Sequence, residues 1–136
     1  MNITIVYDSS TGKTRQASEA MCKLFKGHGH QCQVYSVGKI KPEEVKNADL
    51  ICVGTWVKGL FIIKQHPSEA SMQFIDELGD LNGKRVVVFC PYLLAAGSTL
   101  KQMSHALQAN GAEVVGRFKY RGPVPGSKFT SFAASI

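Results

Sequence analysis

The sequence contains no CxxC pair: its four cysteines, Cys22, Cys32, Cys52 and Cys90, are spaced too irregularly for a zinc ribbon or a cluster site. They read as free, buried thiols of a reducing compartment. Also missing is any apolar run near the roughly 20 residues that a membrane-spanning helix requires. The opening MNITIVYD has no basic stretch ahead of a long apolar segment, so it does not read as a secretory signal, and a cytoplasmic location is expected. Acids are scarce, 10 against 16 Lys and Arg, which leaves a net charge of +6. Those cations are scattered along the chain, and no helix carries a basic face interleaved with aromatics, so the excess gives no support to nucleic-acid binding. His28 and His30, in KGHGHQ, sit at a turn without the acids or thiols that a metal site would need. Repeats, linkers and low-complexity tracts are absent, and 136 residues suit one domain, 1–136, with a proper core.

What is present is an alternation of two periods. NITIVY, 2 to 7, is short, β-rich and apolar almost throughout, as in a strand buried on both faces of a parallel sheet. From about Lys13, the residues Ala17, Ala20, Met21, Leu24 and Phe25 mark one face of a helix that stops at Gly27 and Gly29. QCQVYSV, 31 to 37, alternates like an edge strand, Pro42 begins a short helix with acids in its first turn, and DLICVG, 49 to 54, is another buried strand. The segment 55 to 66, TWVKGLFIIKQH, is long and apolar for a loop, hence functional or packed. Pro67 is expected to begin a helix that turns Phe74, Ile75 and Leu78 one way. KRVVVFC, 84 to 90, is a strand, and Ser98 is placed to cap a helix carrying Leu100, Met103 and Leu107 inward. AEVVGRFKY, 112 to 120, is the fifth strand. With connections too long for hairpins, the order βαβαβαβαβ predicts an α/β fold, a five-stranded doubly wound parallel sheet with helices on both faces.

In that fifth strand Ala112, Val114, Phe118 and Tyr120 fall on one side and Glu113, Arg117, Lys119 and Arg121 on the other. One covered face at the edge of the sheet is expected. Too few residues follow for a full closing helix. They allow either a short helix from about Ser127 or a bared face that docks a partner.

A helix that starts directly after a buried strand turns free N–H groups and the positive end of its dipole to the carboxyl edge of the sheet, where anions bind. YDSSTGKT, 7 to 14, occupies that place. Its Gly-Lys-Thr suggests a nucleoside-triphosphate loop, GxxxxGK[ST], but the first glycine of that loop would fall at Tyr7, and no strand ends in an acid placed to hold Mg²⁺. The better reading is a tight, hydroxyl-rich loop from Ser9 to Thr14 that closes on one terminal phosphate.

This stretch matches [ST]-x-T-G-x-T, the phosphate loop of the flavodoxins, at every specified position, and it resembles that family also in its place after strand one. The resemblance implies that Ser9, Thr11, Gly12 and Thr14, with Ser10 and the backbone of Lys13 in the same loop, hold the phosphate of FMN. In GTWVKG, 54 to 59, Thr55 and Trp56 match a flavodoxin Thr-Trp whose indole stacks on the flavin, with Val57, Lys58 and Gly59 near its N5 edge. A lone tryptophan is more often core, but a loop at the carboxyl end of a strand favours the ligand role. Some flavodoxins have Gly directly after this Trp, where Val57 stands here. In FCPYLLAAGS, 89 to 98, the resemblance places Cys90, Pro91, Tyr92, Ala96 and Gly97 at the pyrimidine edge, Tyr92 as a second aromatic. The implied strand order is 2-1-3-4-5.

No pair of acids, Cys-His couple or Ser-His-Asp spacing assigns proton-transfer or nucleophilic work, so no residue is read as catalytic. The resemblance implies an FMN-binding electron-transfer protein that shuttles between a reductase and an acceptor protein. The basic charge implies redox partners with an acidic or apolar docking surface, and Lys58 is expected to add positive charge near the flavin. Two alternatives stand beside this: an FMN-dependent NAD(P)H:quinone-type reductase, and a flavodoxin-like interaction module without flavin.

Overall fold

The computed structural model describes residues 1–60, 63–92, 96–121 and 126–136, with backbone alone at 59, 60, 63 and 64. Residues 93–95 of the FCPYLLAAGS reading lie outside them. In chain order the elements are β1 (Asn2–Tyr7), α1 (Lys13–Gly27), β2 (Gln31–Ser36), α2 (Pro42–Val45), β3 (Leu50–Gly54), β4 (Val57–Leu60), β5 (Ile63–Pro67), α3 (Glu69–Leu78), β6 (Arg85–Pro91), α4 (Thr99–Ala109), β7 (Glu113–Tyr120) and α5 (Ser127–Ser135). The parallel sheet runs β2-β1-β3-β6-β7, the expected 2-1-3-4-5 order once the two strands of a separate antiparallel pair, β4 and β5, are set aside.

Strand alternation divides the apolar residues between two cores. Ile3, Ile5, Cys52, Val87 and Phe89 face α1, where Ala17, Met21 and Phe25 meet them. Val6, Ile51, Val53, Val86 and Val88 face the other way, onto Phe74 and Ile75 of α3 and Met103 and Leu107 of α4. Each of these larger side chains contributes about 1.5–3 kcal/mol by leaving water, which is why strands with no polar face sit in the middle of the sheet.

The structure corrects four expectations. The stretch 55 to 66 is not simply a loop: Val57 pairs with Pro67, Lys58 with His66 and Leu60 with Ile63. Pro67 ends β5 instead of opening a helix; α3 is capped by Ser68, whose Oγ accepts from the Ser71 N–H at 3.2 Å. Ser98 does occupy the cap position of α4, but its Oγ accepts from Gln102 Nε2 at 2.8 Å and makes no capping bond.

The fourth correction concerns β7. Val86 pairs with Val114 but Val87 with Gly116, so Val115 is an extra residue on the β7 side. That bulge reverses the parity of everything after it. Ala112 and Val114 therefore join the core under α4, whereas Val115, Phe118 and Tyr120 join the one under α1. Apolar residues of this edge strand pack on both faces, the second beneath the short helix from Ser127: Phe129 is buried with its ring centroid 5.3 Å from Phe25 and 5.2 Å from Phe118, both edge-on.

Candidate cofactor site

The sheet positions the site. Tyr7, at the end of β1, pairs with Gly54, Gly54 with Phe89, and Pro91 with Tyr120, so four parallel strands finish nearly level. Their backbones stay joined just beyond: Asp8 N–H donates to Gly54 O at 3.0 Å, Thr55 N–H to Phe89 O at 3.1 Å and Tyr92 N–H to Tyr120 O at 3.0 Å. Because β1 lies between β2 and β3, the crossovers on either side of it diverge, and this is the switch point at which open α/β sheets bind ligands.

The loop after β1 is held by its own backbone. Gly12, at φ +90°, adopts the left-handed conformation that glycine takes without penalty, and its N–H donates to Ser9 Oγ at 3.0 Å. It is also the first flanking residue of α1, where no side chain supplies a capping bond and no acid lies in the first turn. Ser10, Thr11 and Lys13 are exposed and Ser9 is half-buried. Thr14 is different: it is 1% exposed, and its buried Oγ1 has no hydrogen-bond partner. An unsatisfied buried hydroxyl costs about 1–3 kcal/mol, and a phosphate oxygen at the start of α1 would relieve that cost.

The loop after β3 starts where Gly54 lies under the Phe89 ring, so close that a Cβ there would strike it. The Thr55 side chain turns inward. Its Oγ1 accepts from Ser68 N–H at 2.9 Å and from Ser71 Oγ at 2.9 Å, with the residue fully buried. The Thr55 hydroxyl thus ties this loop to the start of α3. Trp56 is half-buried, its Nε1 donating to Asp8 Oδ2 at 2.9 Å and its ring lying 5.4 Å from Lys58 Nζ. Lys58 also pairs with Glu69 at 2.8 Å, and the bond holds that carboxyl below its ordinary value. The Glu69 charge opposes the positive field expected from Lys58. Val57, Lys58 and Gly59 belong to β4.

β6 ends with Cys90 and Pro91, both buried, and the loop after it begins at Tyr92. Burial pushes the Cys90 thiol up to about 12 in spite of nearby Lys119, so it stays protonated and offers no nucleophile. Tyr92 is half-buried; Lys119 Nζ lies 5.7 Å and Arg121 Cζ 5.3 Å from its ring centroid. Ala96 is buried, and Gly97, at φ +56°, packs on β5, where a Cβ would come within 2.8 Å of Gln65 Cβ. Asp8, Glu69, Lys119 and Arg121 belong to these surroundings and were not singled out as site residues by sequence.

The flavodoxin family model matches residues 5–126. The chain belongs to the flavodoxin family. No curated protein matches it. Among solved structures it is similar to the two-electron reduced flavodoxin of Megasphaera elsdenii, with a TM-score of 0.82, 21% identity and coverage of 98% of this chain and 99% of that one. Oxidised flavodoxin 1 of Bacillus cereus gives a TM-score of 0.74 at 18% identity, covering 99% and 93%. Rubredoxin oxygen:oxidoreductase of Desulfovibrio gigas gives 0.76 at 15% identity, covering 98% of this chain and 33% of that one. At such identities the structures speak for the fold, while the family carries the cofactor: this flavodoxin takes FMN and serves electron transfer. The unpartnered Thr14 hydroxyl and uncapped start of α1 fit its phosphate. Among the described residues, no helix is long and apolar enough to cross a membrane.

Proposed function

We propose that this flavodoxin is a cytoplasmic carrier that takes electrons from a reductase and delivers them to an acceptor protein with an acidic or apolar docking surface. When bound, the flavin supplies one- and two-electron chemistry; the protein binds it, orients it and sets its surroundings. Ser9, Ser10, Thr11, Gly12, Thr14 and the Lys13 N–H hold the phosphate. Trp56 stacks on the ring, the backbone of Thr55 and the Val57–Lys58–Gly59 strand border one edge, and the backbone at Cys90 and Pro91 with Tyr92, Ala96 and Gly97 borders the other.

The observation that carries this reading is the phosphate loop itself, in which a left-handed Gly12 opens α1 beside the partnerless Thr14 hydroxyl. The four free cysteines suit the reducing compartment in which such a carrier would work. FMN-loaded protein should be reduced by NADPH only when a flavoprotein reductase is added. Steady NAD(P)H oxidation with a quinone and no partner protein would make it a reductase instead, and a protein that stays colourless with added FMN would make it a flavin-free module.

A further inference from the structure

The positive charge of this chain is one-sided. Residues 1–80 hold nine Lys and Arg and nine Asp and Glu, whereas residues 81–136 hold seven and one, so the entire excess of +6 lies in the second part. That part builds β6, α4, β7 and α5, the half of the sheet that ends at the β7 edge. Its single acid, Glu113, starts β7, roughly 20 Å of strand away from Lys119 and Arg121 at the other end.

At that other end lies a cleft of about 450 Å³, walled by Tyr92, Phe118 and the first residues of α5, with Arg117, Lys119 and Lys128 on its lining and no acidic side chain. All three cations are exposed. Among the described residues none of them, nor Arg121, is in an ion pair, although Arg117 Nε donates to Ser104 Oγ at 2.8 Å. The start of α5 adds no side-chain cap and no acid of its own. Tyr92, Ala96 and Gly97 line the same cleft, so it borders the loop assigned to the flavin ring.

We propose that this cleft is where the redox partner docks, through a segment rich in Asp and Glu; the proposal rests on the carrier reading. A partner must come close to the flavin to exchange electrons, and unpaired cations beside that loop attract acidic side chains and speed the encounter. Nucleic acid fits less well. Single strands need successive aromatic platforms, while Tyr92 already carries Lys119 and Arg121, and Phe118 is packed on Phe129.

The test titrates a hexaglutamate peptide into FMN-loaded protein at low salt and follows backbone amide shifts. Shifts should centre on 117–121 and 126–128 and fade as salt rises. The exposed pair Lys119→Glu/Lys128→Glu should weaken binding about tenfold or more, while Lys23→Glu/Lys26→Glu on α1 should leave it unchanged. In the same protein, reduced and then reoxidised by ferricyanide, the double variant should lower the rate by a similar factor, and a cationic cobalt acceptor should show no such fall. Shifts spread evenly over the lysines, equal losses in both double variants, or tighter binding of hexathymidylate at the same amides would each overturn the proposal. Failure to bind FMN would sink the carrier reading, whereas a yellow, electron-transferring protein with evenly spread shifts would sink the docking surface alone.

Discussion

The indole Nε1 of Trp56 donates to Asp8 Oδ2 at 2.9 Å, tying the proposed stacking platform after β3 to the residue that precedes the proposed phosphate loop after β1. Two halves of the proposed cofactor site are thereby fixed to each other by a single charge-assisted bond. Stacking of this kind is worth about 1–3 kcal/mol, so Trp56→Ala should weaken FMN binding on the order of 10- to 100-fold. Asp8→Asn keeps an acceptor for the indole but removes a negative charge beside a dianion. Its FMN affinity, read by fluorescence quenching, should equal or exceed that of the wild type at low salt, with the difference closing as salt rises. An Asp8→Asn loss as large as that of Trp56→Ala would contradict this.

Phe129 anchors α5 on the face of the sheet that packs against α1. It is 1% exposed and packs edge-on against Phe25 and Phe118. Phe129→Ala should cost about 3–5 kcal/mol, seen as a lower urea midpoint. Phe132, only half-buried at the same face, should cost less when truncated. Equal and small losses would mean that α5 is not part of the core.

The parts of this fold legible in the sequence are those set by local pattern. β1, β3 and β6 declare themselves because both of their faces are apolar, and Ser9 to Thr14 because six contiguous residues build the loop. Where partners come from far along the chain, local pattern fails. Trp56 and Asp8 are 48 residues apart, and the Thr55 hydroxyl is claimed by Ser68 and Ser71 of the next helix. The β4–β5 pair has no Pro, Asn or Asp between Val57 and His66 to mark a turn, and its one glycine, Gly59, falls inside β4. The Val115 bulge exists only relative to β6, so strict alternation assigned Phe118 and Tyr120 to the wrong core.

Buried thiols make stability depend on alkaline pH. Burial holds Cys32 and Cys52 above the ordinary thiol value of about 9 and pushes Cys90 up to about 12. The folded chain therefore keeps protons that the unfolded chain releases. This contribution is fully present below pH 9 and is lost as pH rises toward the folded values, at about 1.4 kcal/mol per pH unit for each thiol. Melting in a reducing buffer should be nearly level from pH 7 to 8 and fall steeply above 9. Cys52→Ala should make the decline shallower; an unchanged melting temperature up to pH 10.5 would show that the thiols are not held.

A substitution at Thr14 tests phosphate recognition separately from ring recognition. The Thr14 hydroxyl is buried without a partner, while its carbonyl already accepts from Ser18 Oγ at 2.7 Å. A hydrogen bond to a charged group contributes about 1.5–3 kcal/mol. Thr14→Val, which keeps the shape and removes the hydroxyl, should therefore weaken FMN roughly 10- to 100-fold. Riboflavin, which lacks the phosphate, should bind the variant as it binds the wild type. The apoprotein should melt no lower, since the change removes an unsatisfied polar atom, and Thr14→Ser should restore most of the FMN affinity. An equal loss for riboflavin would place the effect on the ring or the fold and remove Thr14 from the phosphate site.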